Sequence, residues 1–156
     1  MSKHATTTPA PVLTAEGRAW LDARLARVSE RLEHIAAELE GERTADLVAE
    51  RQQLTDQRDE LANLLRVAVA PGDVVDDPTI VELGDEVAVA FPDGSREAFL
   101  VVHPAEAGMD DHRTSSEAPL AQAVLGHRVG DRVTVCSPAG VYSATIISRT
   151  RIGQAR

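Results

Sequence analysis

The residues of this sequence best suited to chemistry are carboxylates grouped around a glycine in the first third of the chain. Glu38, Glu40, Glu42 and Asp46 lie close together, and the only base among them is Arg43. Mg²⁺ prefers oxygen ligands and is commonly shared between carboxylates, phosphates and waters. An exposed acidic turn could therefore add ligands to a metal ion held elsewhere. The alternative is that these charges simply form a solvated helical turn.

The acidic turn lies between two segments that have the apolar spacing of coiled-coil helices. The seam of the first segment alternates spacings of four and three, at Leu21, Leu25, Val28, Leu32, Ile35 and Leu39. After a break at Gly41 the second segment continues at Leu47, Leu54, Leu61 and Leu65, with Arg51 and Arg58 at the seam positions between. Two such segments predict an antiparallel helical hairpin over residues 14–67, with the acidic turn at its tip.

Local signals near the ends of the two segments support this hairpin. Thr14 and Thr44 are predicted N-caps, because a threonine hydroxyl accepts a hydrogen bond from a first-turn N–H. Gly17 weakens the start of the first helix. Trp20, beside the seam, is predicted to pack near the hairpin base against a second domain.

The second half of the chain has a different period. Residues 68–78 are small, acidic and rich in Pro and Gly, which indicates a linker. Beyond it, alternating strands, turn signals and one short helical piece predict a small antiparallel β-sheet domain over residues 79–152, so the fold class is α+β. Residues 1–13 are predicted to be a disordered tail and residues 153–156 a second tail.

Composition restricts the function classes. The net charge of −9 argues against a protein that binds nucleic acid through phosphate contacts, and it suits a basic protein surface or a metal ion. The single cysteine, Cys136, fits a reducing cytoplasm and is predicted to be a buried thiol in a strand. No apolar run is long enough for a membrane span, and the N-terminus has no secretory h-region. A zinc site and an independent enzyme are disfavoured, since no paired metal ligands, P-loop, dinucleotide loop or nucleophile elbow occurs.

An ordered series of short motifs marks the second half. The series comprises Asp93-Gly94, Val101-Val102, Glu106-Ala107 and residues 118–126, 129–133 and 137–140. It resembles the C-terminal domain of the bacterial GreA/GreB family of transcription elongation factors, whose pattern reads Ser-Pro-(Leu/Ile)-Gly-x-Ala-Leu-Leu-Gly, then Gly-Asp, then Pro-x-Gly. Ala118 stands where the family usually has Ser, and Ala121 where it usually has Gly. The resemblance covers residues 79–152 closely and the hairpin in architecture more than in sequence.

The resemblance implies an FKBP-like fold for residues 79–152, without prolyl isomerase activity. It also implies a monomer whose partner is RNA polymerase, with nucleic acid contacted only through the polymerase. Such factors dock the globular domain at the rim of the secondary channel and insert the coiled coil toward the active site. Loops of the C-terminal domain are the predicted docking residues. They are Met109, Asp110, Asp111, Ser115, Ser116, Arg128 and Asp131.

The tip departs from the cleavage-stimulating members that this chain resembles. Their pattern Gly-Asp-Leu-x-Glu-Asn-Ala-Glu-Tyr presents an Asp and a Glu that help hold the second catalytic Mg²⁺ of the polymerase. Laying Ala45-Asp46 on the Ala-Glu of that pattern puts Glu40 at its Asp and Arg43 at its Glu, so the acidic pair is not preserved. The first helix is also about one heptad shorter, which is roughly 10 Å of reach.

These departures favour a Gre-like regulator that occupies the secondary channel without strong transcript-cleavage activity, with inhibition as one outcome. Such a protein has no cofactor of its own and is not itself an enzyme, although its tip could contact the polymerase Mg²⁺. The first alternative is a genuine cleavage-stimulating factor that uses Glu40 and Glu42. The second alternative is a coiled-coil interaction module for another protein.

Overall fold

The computed structural model describes residues 10–71 and 79–151. The helical part consists of α1 (Ala15–Gly41) and α2 (Ala45–Val67). The second part contains β1 (Asp85–Ala90), β2 (Arg96–Val102), a 3₁₀ turn (Pro104–Glu106), β3 (Arg113–Ser115), α3 (Pro119–Val124), β4 (Arg132–Ser137) and β5 (Gly140–Arg151). The α+β prediction of a helical hairpin followed by a small sheet domain is confirmed. The described residues do not include residues 1–9 of the first predicted tail, residues 72–78 of the predicted linker or the second predicted tail, 153–156.

Both helices begin at the predicted threonine caps. The N–H of Gly17 donates to Thr14 Oγ1 at 2.9 Å, and the N–H of Leu47 donates to Thr44 Oγ1 at 3.2 Å. Helix α1 ends at the predicted break, where Glu42 is extended and its N–H donates to the carbonyl of Glu38 at 3.0 Å. The caps and the break therefore fix three helix boundaries, which are the start of α1 at the base and the end of α1 and the start of α2 at the tip.

The predicted seam is buried along α1 as far as Ile35, and on α2 it is buried only near the base, at Leu61 and Leu65. An apolar cluster there is formed by Leu13, Leu21, Val28, Leu32, Leu61 and Leu65. Trp20 and Ala105 pack against this cluster, and Trp20 lies next to Gly108, as predicted for a contact with the second domain. Near the tip, Leu39 and Leu47 are only half-buried. The hairpin is thus packed tightly at one end and loosely at the other.

The five strands form one sheet of order β3-β2-β1-β5-β4. All neighbouring strands are antiparallel except β2 and β3, which run parallel. This pair departs from the predicted antiparallel sheet, because the chain crosses over through residues 103–112 before β3 begins. The core lies between α3 and one face of the sheet, and its buried residues include Val87, Val89, Phe99, Val101, Val135 and Ile146.

The prediction of a disordered tail over residues 1–13 is wrong for residues 10–13. Val12 and Leu13 are buried, with 9% and 1% of their surface exposed. The N–H of Leu13 donates to the carbonyl of Val69 at 3.0 Å, and the N–H of Val69 donates to the carbonyl of Pro11 at 2.9 Å. The segment is ordered because its two apolar side chains find a place at the hairpin base and its backbone pairs with the chain that leaves α2.

The same pairing orders the start of the predicted linker. Arg18 donates from Nη1 to the carbonyl of Leu65 and from Nη2 to the carbonyl of Ala68, each at 2.9 Å. These bonds occupy carbonyls at the end of α2 that have no partner within the helix. Residues 68–71 are therefore part of the hairpin base.

Cys136 is exposed, so the prediction of a buried thiol is wrong. Val133 and Val135 point into the core, and the side chains of a strand alternate between its two faces. Cys136 therefore falls on the outer face of β4.

Candidate functional site

The four acidic candidates of the tip are all exposed. They are Glu38, Glu40, Glu42 and Asp46. The first two belong to the last turn of α1, Glu42 to the connection, and Asp46 to the first turn of α2, where the helix N-terminus favours a negative charge. Among residues 10–71 and 79–151 no group of three or more His, Cys, Asp or Glu side chains is arranged to hold a metal ion. The four carboxylates are thus exposed at the end of the hairpin.

Arg31 ties the two helices together below the tip. Its Nε and Nη2 donate to the carboxylate of Glu50 at 3.0 and 2.8 Å, and its Nη1 lies 3.7 Å from Glu38 Oε1. The hydrogen bond from Arg31 lowers the pKa of Glu50, and the same bond raises the pKa of Arg31. Glu38 is therefore drawn toward this clamp rather than held free at the tip.

The remaining tip carboxylates have no such partner. Glu40, Glu42 and Asp46 make no ion pair within the part of the chain that the structure describes. Arg43 is exposed in the same connection and brings a positive charge among them. The tip therefore presents three carboxylates and one guanidinium to whatever approaches the end of the hairpin.

Asp110 holds its own loop together. Its carboxylate accepts the N–H groups of His112 and Arg113, each at 3.0 Å, and it lies 2.5 Å from Arg113 Nη1. Desolvation acts to raise the pKa of Asp110, but the N–H and guanidinium of Arg113 outweigh it and hold that pKa below its usual range. This residue shapes the approach to β3.

Two further predicted docking residues also stabilise turns. Ser115 Oγ accepts the N–H of Glu117 at 3.1 Å, and Asp131 Oδ2 accepts the N–H of Arg128 at 2.9 Å. The other predicted docking side chains are exposed or half-buried: Met109, Asp111, Ser116 and Arg128. The use of any of these residues in docking stays a prediction.

The structure does not bring the two predicted docking loops together. Residues 109–116 include β3, and residues 128–131 lead into β4, and these strands form opposite edges of the sheet. Four strand spacings of about 4.8 Å separate the edges, or roughly 19 Å. A partner that contacts both loops has to span the width of the sheet domain.

Sequence reasoning missed the polar contact between the hairpin and the sheet domain. Glu106 is completely buried, and its carboxylate accepts the N–H of Thr14 at 2.9 Å and the hydroxyl of Thr14 at 2.6 Å. Arg113 reaches the same place and donates to Glu16 at 2.9 Å. The sequence signals were faint, namely a glycine in the first turn of α1 and a glutamate noted only as part of a motif.

A second buried ion cluster closes the sheet domain. Asp85 is fully buried and lies 2.7 Å from Arg149 Nε and 2.6 Å from Arg151 Nε. Arg151 also contacts Glu82 at 2.8 Å, and the N–H of Glu82 donates to Asp85 at 2.8 Å. These contacts join the start of β1 to the end of β5, and each charge is used in that role. The cluster is structural.

No helix in residues 10–71 and 79–151 is both long enough and apolar enough to cross a membrane.

Comparison with known proteins gives one family match and several similar relatives. The family described as "Transcription elongation factor, GreA/GreB, C-term" matches residues 76–151. GreA of Geobacillus kaustophilus is 37% identical over 89 residues, which is 56% of this chain and 56% of that protein. GreA of Bacillus cytotoxicus is 37% identical over 90 residues, 57% of each. The chain thus spans little more than half the length of the curated relatives it matches.

Solved structures give matches along most of the chain. Gfh1 of Thermus thermophilus is 28% identical, with 91% of this chain and 99% of that chain covered and a TM-score of 0.41. The GreA/GreB factor of Nitrosomonas europaea is 20% identical, with 90% and 98% covered and a TM-score of 0.42.

Proposed function

Because the chain belongs to the GreA/GreB family through its C-terminal domain, we propose that it is a Gre-like regulator of transcription elongation that binds RNA polymerase. In this proposal the sheet domain docks on the polymerase as a monomer, and the hairpin enters the secondary channel. Nucleic acid is contacted only through the polymerase. The observation that supports the proposal is that a domain matching the GreA/GreB C-terminal family is joined to a helical hairpin. The free end of this hairpin exposes carboxylates that make no ion pair within the described residues.

The dimensions of the hairpin suit insertion into a narrow passage. Helix α1 has 27 residues and α2 has 23. At about 1.5 Å per residue they extend roughly 40 and 35 Å, which exceeds what a small domain needs to cover its own core. The tip therefore acts at a distance from the surface that docks.

The chemistry of the tip favours regulation over strong cleavage. Mg²⁺ takes carboxylate oxygens, so Glu40, Glu42 or Asp46 could contact a magnesium ion that belongs to the polymerase. Arg43, however, stands where the cleavage-stimulating pattern has its Glu, and a cation beside the ligands opposes recruitment of a second metal ion. We therefore assign to the protein no cofactor of its own and no catalytic residue.

A genuine cleavage-stimulating activity is the alternative. Its supporting observation is that Glu40 and Glu42 are both exposed and free of ion pairs within the described residues, so both carboxylates are available as ligands. A misplacement of about 1 Å can cost catalysis about 10²-fold, which makes the one-residue shift in this turn important.

The deciding experiment uses RNA polymerase stalled in a backtracked complex with end-labelled RNA. We expect the protein to leave the RNA length unchanged over a time in which a standard Gre factor trims it, and to slow that trimming when added in excess. RNA shortening that is lost in Glu40→Ala/Glu42→Ala would establish the alternative.

The matched control is Glu33→Ala, which removes an exposed carboxylate from the shaft of α1. It should behave as the unmodified protein in both assays. A protein that neither trims RNA nor competes, and that recovers no polymerase subunit in a pull-down, would contradict the proposal. That result would support a coiled-coil module for another partner.

A further inference from the structure

The carboxylate of Glu106 lies directly against the start of helix α1, although 92 residues separate it from Thr14. Glu106 sits at the end of the 3₁₀ turn Pro104–Glu106 and is fully buried. One oxygen accepts the backbone N–H of Thr14 at 2.9 Å, and the other accepts its hydroxyl at 2.6 Å. A buried carboxylate needs such partners, because leaving it unpaired is costly.

The arrangement has the form of a capping box that is completed from another domain. In a capping box the N-cap side chain accepts the N–H of the third helical residue, and that residue returns its carboxylate to the N-cap N–H. Thr14 makes the first bond with the N–H of Gly17 at 2.9 Å. Gly17 has no side chain to make the second bond, and Glu106 makes it instead.

Gly17 and Glu106 are sterically matched. A Cβ atom added at Gly17 would overlap the carboxyl group of Glu106. The glycine therefore costs α1 some intrinsic helix stability but leaves the space that the carboxylate occupies. Any side chain in this position would push the two domains apart or turn Glu106 away.

Arg113 balances the charge at this junction. It is almost completely buried and lies 3.8 Å from Glu106 Oε1, 2.9 Å from Glu16 and 2.5 Å from Asp110. The N-terminal end of α1 adds a favourable partial positive charge. Of these contacts, the one between Arg113 and Glu16 crosses the boundary between the sheet domain and the hairpin.

We propose that Glu106 is a positioning residue that fixes the direction of the hairpin relative to the sheet domain, by completing the capping box of α1 across the domain boundary. Arg113 adds an ion pair with Glu16 at the same boundary. The remaining contacts there include Ala105 on the base cluster and Trp20 beside Gly108, and apolar contacts have little directional preference. The inference rests on contacts within this chain and does not depend on the proposed function.

The test measures the distance between the two domains in the full chain, without polymerase. Cys136 is exposed on β4 and takes one spin label, and Ala37→Cys near the end of α1 takes the other. We expect one narrow distance distribution for this protein, and at least a twofold broadening with Glu106→Ala. Glu106→Gln should stay narrow, since its amide oxygen accepts the Thr14 N–H and its amide N–H donates to the Thr14 hydroxyl oxygen.

Gly17→Ala gives an independent measurement that leaves Glu106 in place. We expect it to broaden the distribution in the protein that has Glu106, and to cause no additional broadening in the Glu106→Ala background, where the space is already empty. If Gly17 mattered only for the structure of α1 itself, Gly17→Ala would broaden the distance distribution equally with and without Glu106. If Glu106→Ala fails to fold, as judged by circular dichroism, the Gly17→Ala measurement alone decides.

The control is Glu117→Ala, which removes an exposed glutamate from the same domain and should leave the distribution unchanged. A folded Glu106→Ala protein, or a Gly17→Ala protein, with the narrow distribution of the parent would overturn the proposal.

Discussion

Arg31 joins the two helices of the hairpin beside Leu32, a buried residue of the apolar seam. Its guanidinium binds both oxygens of Glu50 on α2, and the geometry is bidentate. Exposed ion pairs contribute little to stability, but a bidentate pair also fixes orientation. The clamp therefore holds the register of the two helices just below the acidic tip.

Glu50 gives a titration test of this clamp. The hydrogen bond from Arg31 lowers the pKa of Glu50, so its contribution is complete above the ordinary carboxyl pKa and is lost as pH falls through the lowered value. We expect Arg31→Ala to return the pKa of Glu50 to the ordinary range in a carbon NMR titration. Arg27→Ala, which removes an exposed cation from the same helix, should leave it low. An unchanged Glu50 pKa in Arg31→Ala would show that the clamp is absent in solution.

At the residue scale the sequence predicted the acidic tip, the two threonine caps and the contact of Trp20. It could not predict the partner of Thr14, because no local pattern links residues 92 positions apart. Gly17 was the local signal. It occupies the third helical position, where a capping box has Glu or Gln, so the N–H of Thr14 receives no carboxylate from within the helix.

Burial changes along α2, which is buried near the base and only half-buried toward the tip. Leu61 and Leu65 of α2 are buried, whereas Leu47 and Leu54 of the same helix are only half-buried. Local opening is easiest where few apolar contacts have to be broken. The part of the hairpin that carries the acidic residues is therefore the part that opens most readily.

Two substitutions compare the halves. Leu61→Ala should reduce the free energy of unfolding by about 3 kcal/mol, as expected for a buried leucine. Leu39→Ala should cost less than about 1 kcal/mol, because the side chain is already half-exposed and leaves little cavity. Chemical denaturation measures both values, and hydrogen exchange should be faster around Leu39 than around Leu61. Equal costs for the two substitutions would contradict the gradient.

The apolar spacing of the helices and strands could be read from the sequence. The direction in which strands pair, and which face of β4 is buried, could not. The seam spacing predicted both helices because their apolar stripe has to face a partner. The parallel pairing of β2 and β3 depends on how residues 103–112 cross over, which no period encodes. The alternation of β4 alone does not say which of its faces is buried. Val133 and Val135 are the residues that face the core, so Cys136 lies on the opposite face.

Among the described residues, the hairpin and the sheet domain meet at the base of the hairpin. Leu13 comes from the segment before α1, Leu21 and Leu65 from the hairpin, and Ala105 from the sheet domain, and all belong to or pack on the same cluster. The polar contacts of Glu106 and Arg113 lie at the same boundary. Loss of packing at this point should therefore affect both domains.

Leu13 gives the corresponding prediction. Only 1% of its surface is exposed, so Leu13→Ala should lower the free energy of unfolding by about 3 kcal/mol, measured by chemical denaturation. The fluorescence of Trp20, which packs on the same cluster, should report the change. Val141→Ala is a suitable control, because that side chain is 71% exposed and should cost less than about 0.5 kcal/mol. A similar small cost for Leu13→Ala would show that the segment before α1 is dispensable.

The bridge between Val12 and Val69 has a consequence for how such a hairpin can vary. Because the chain arrives at and departs from the hairpin side by side, α1 and α2 together behave as an insertion whose two ends are fixed. Adding or removing one heptad in each helix would change the reach of the tip by roughly 10 Å and leave every contact at the base in place. The length of the hairpin can therefore change between relatives while the sheet domain stays the same.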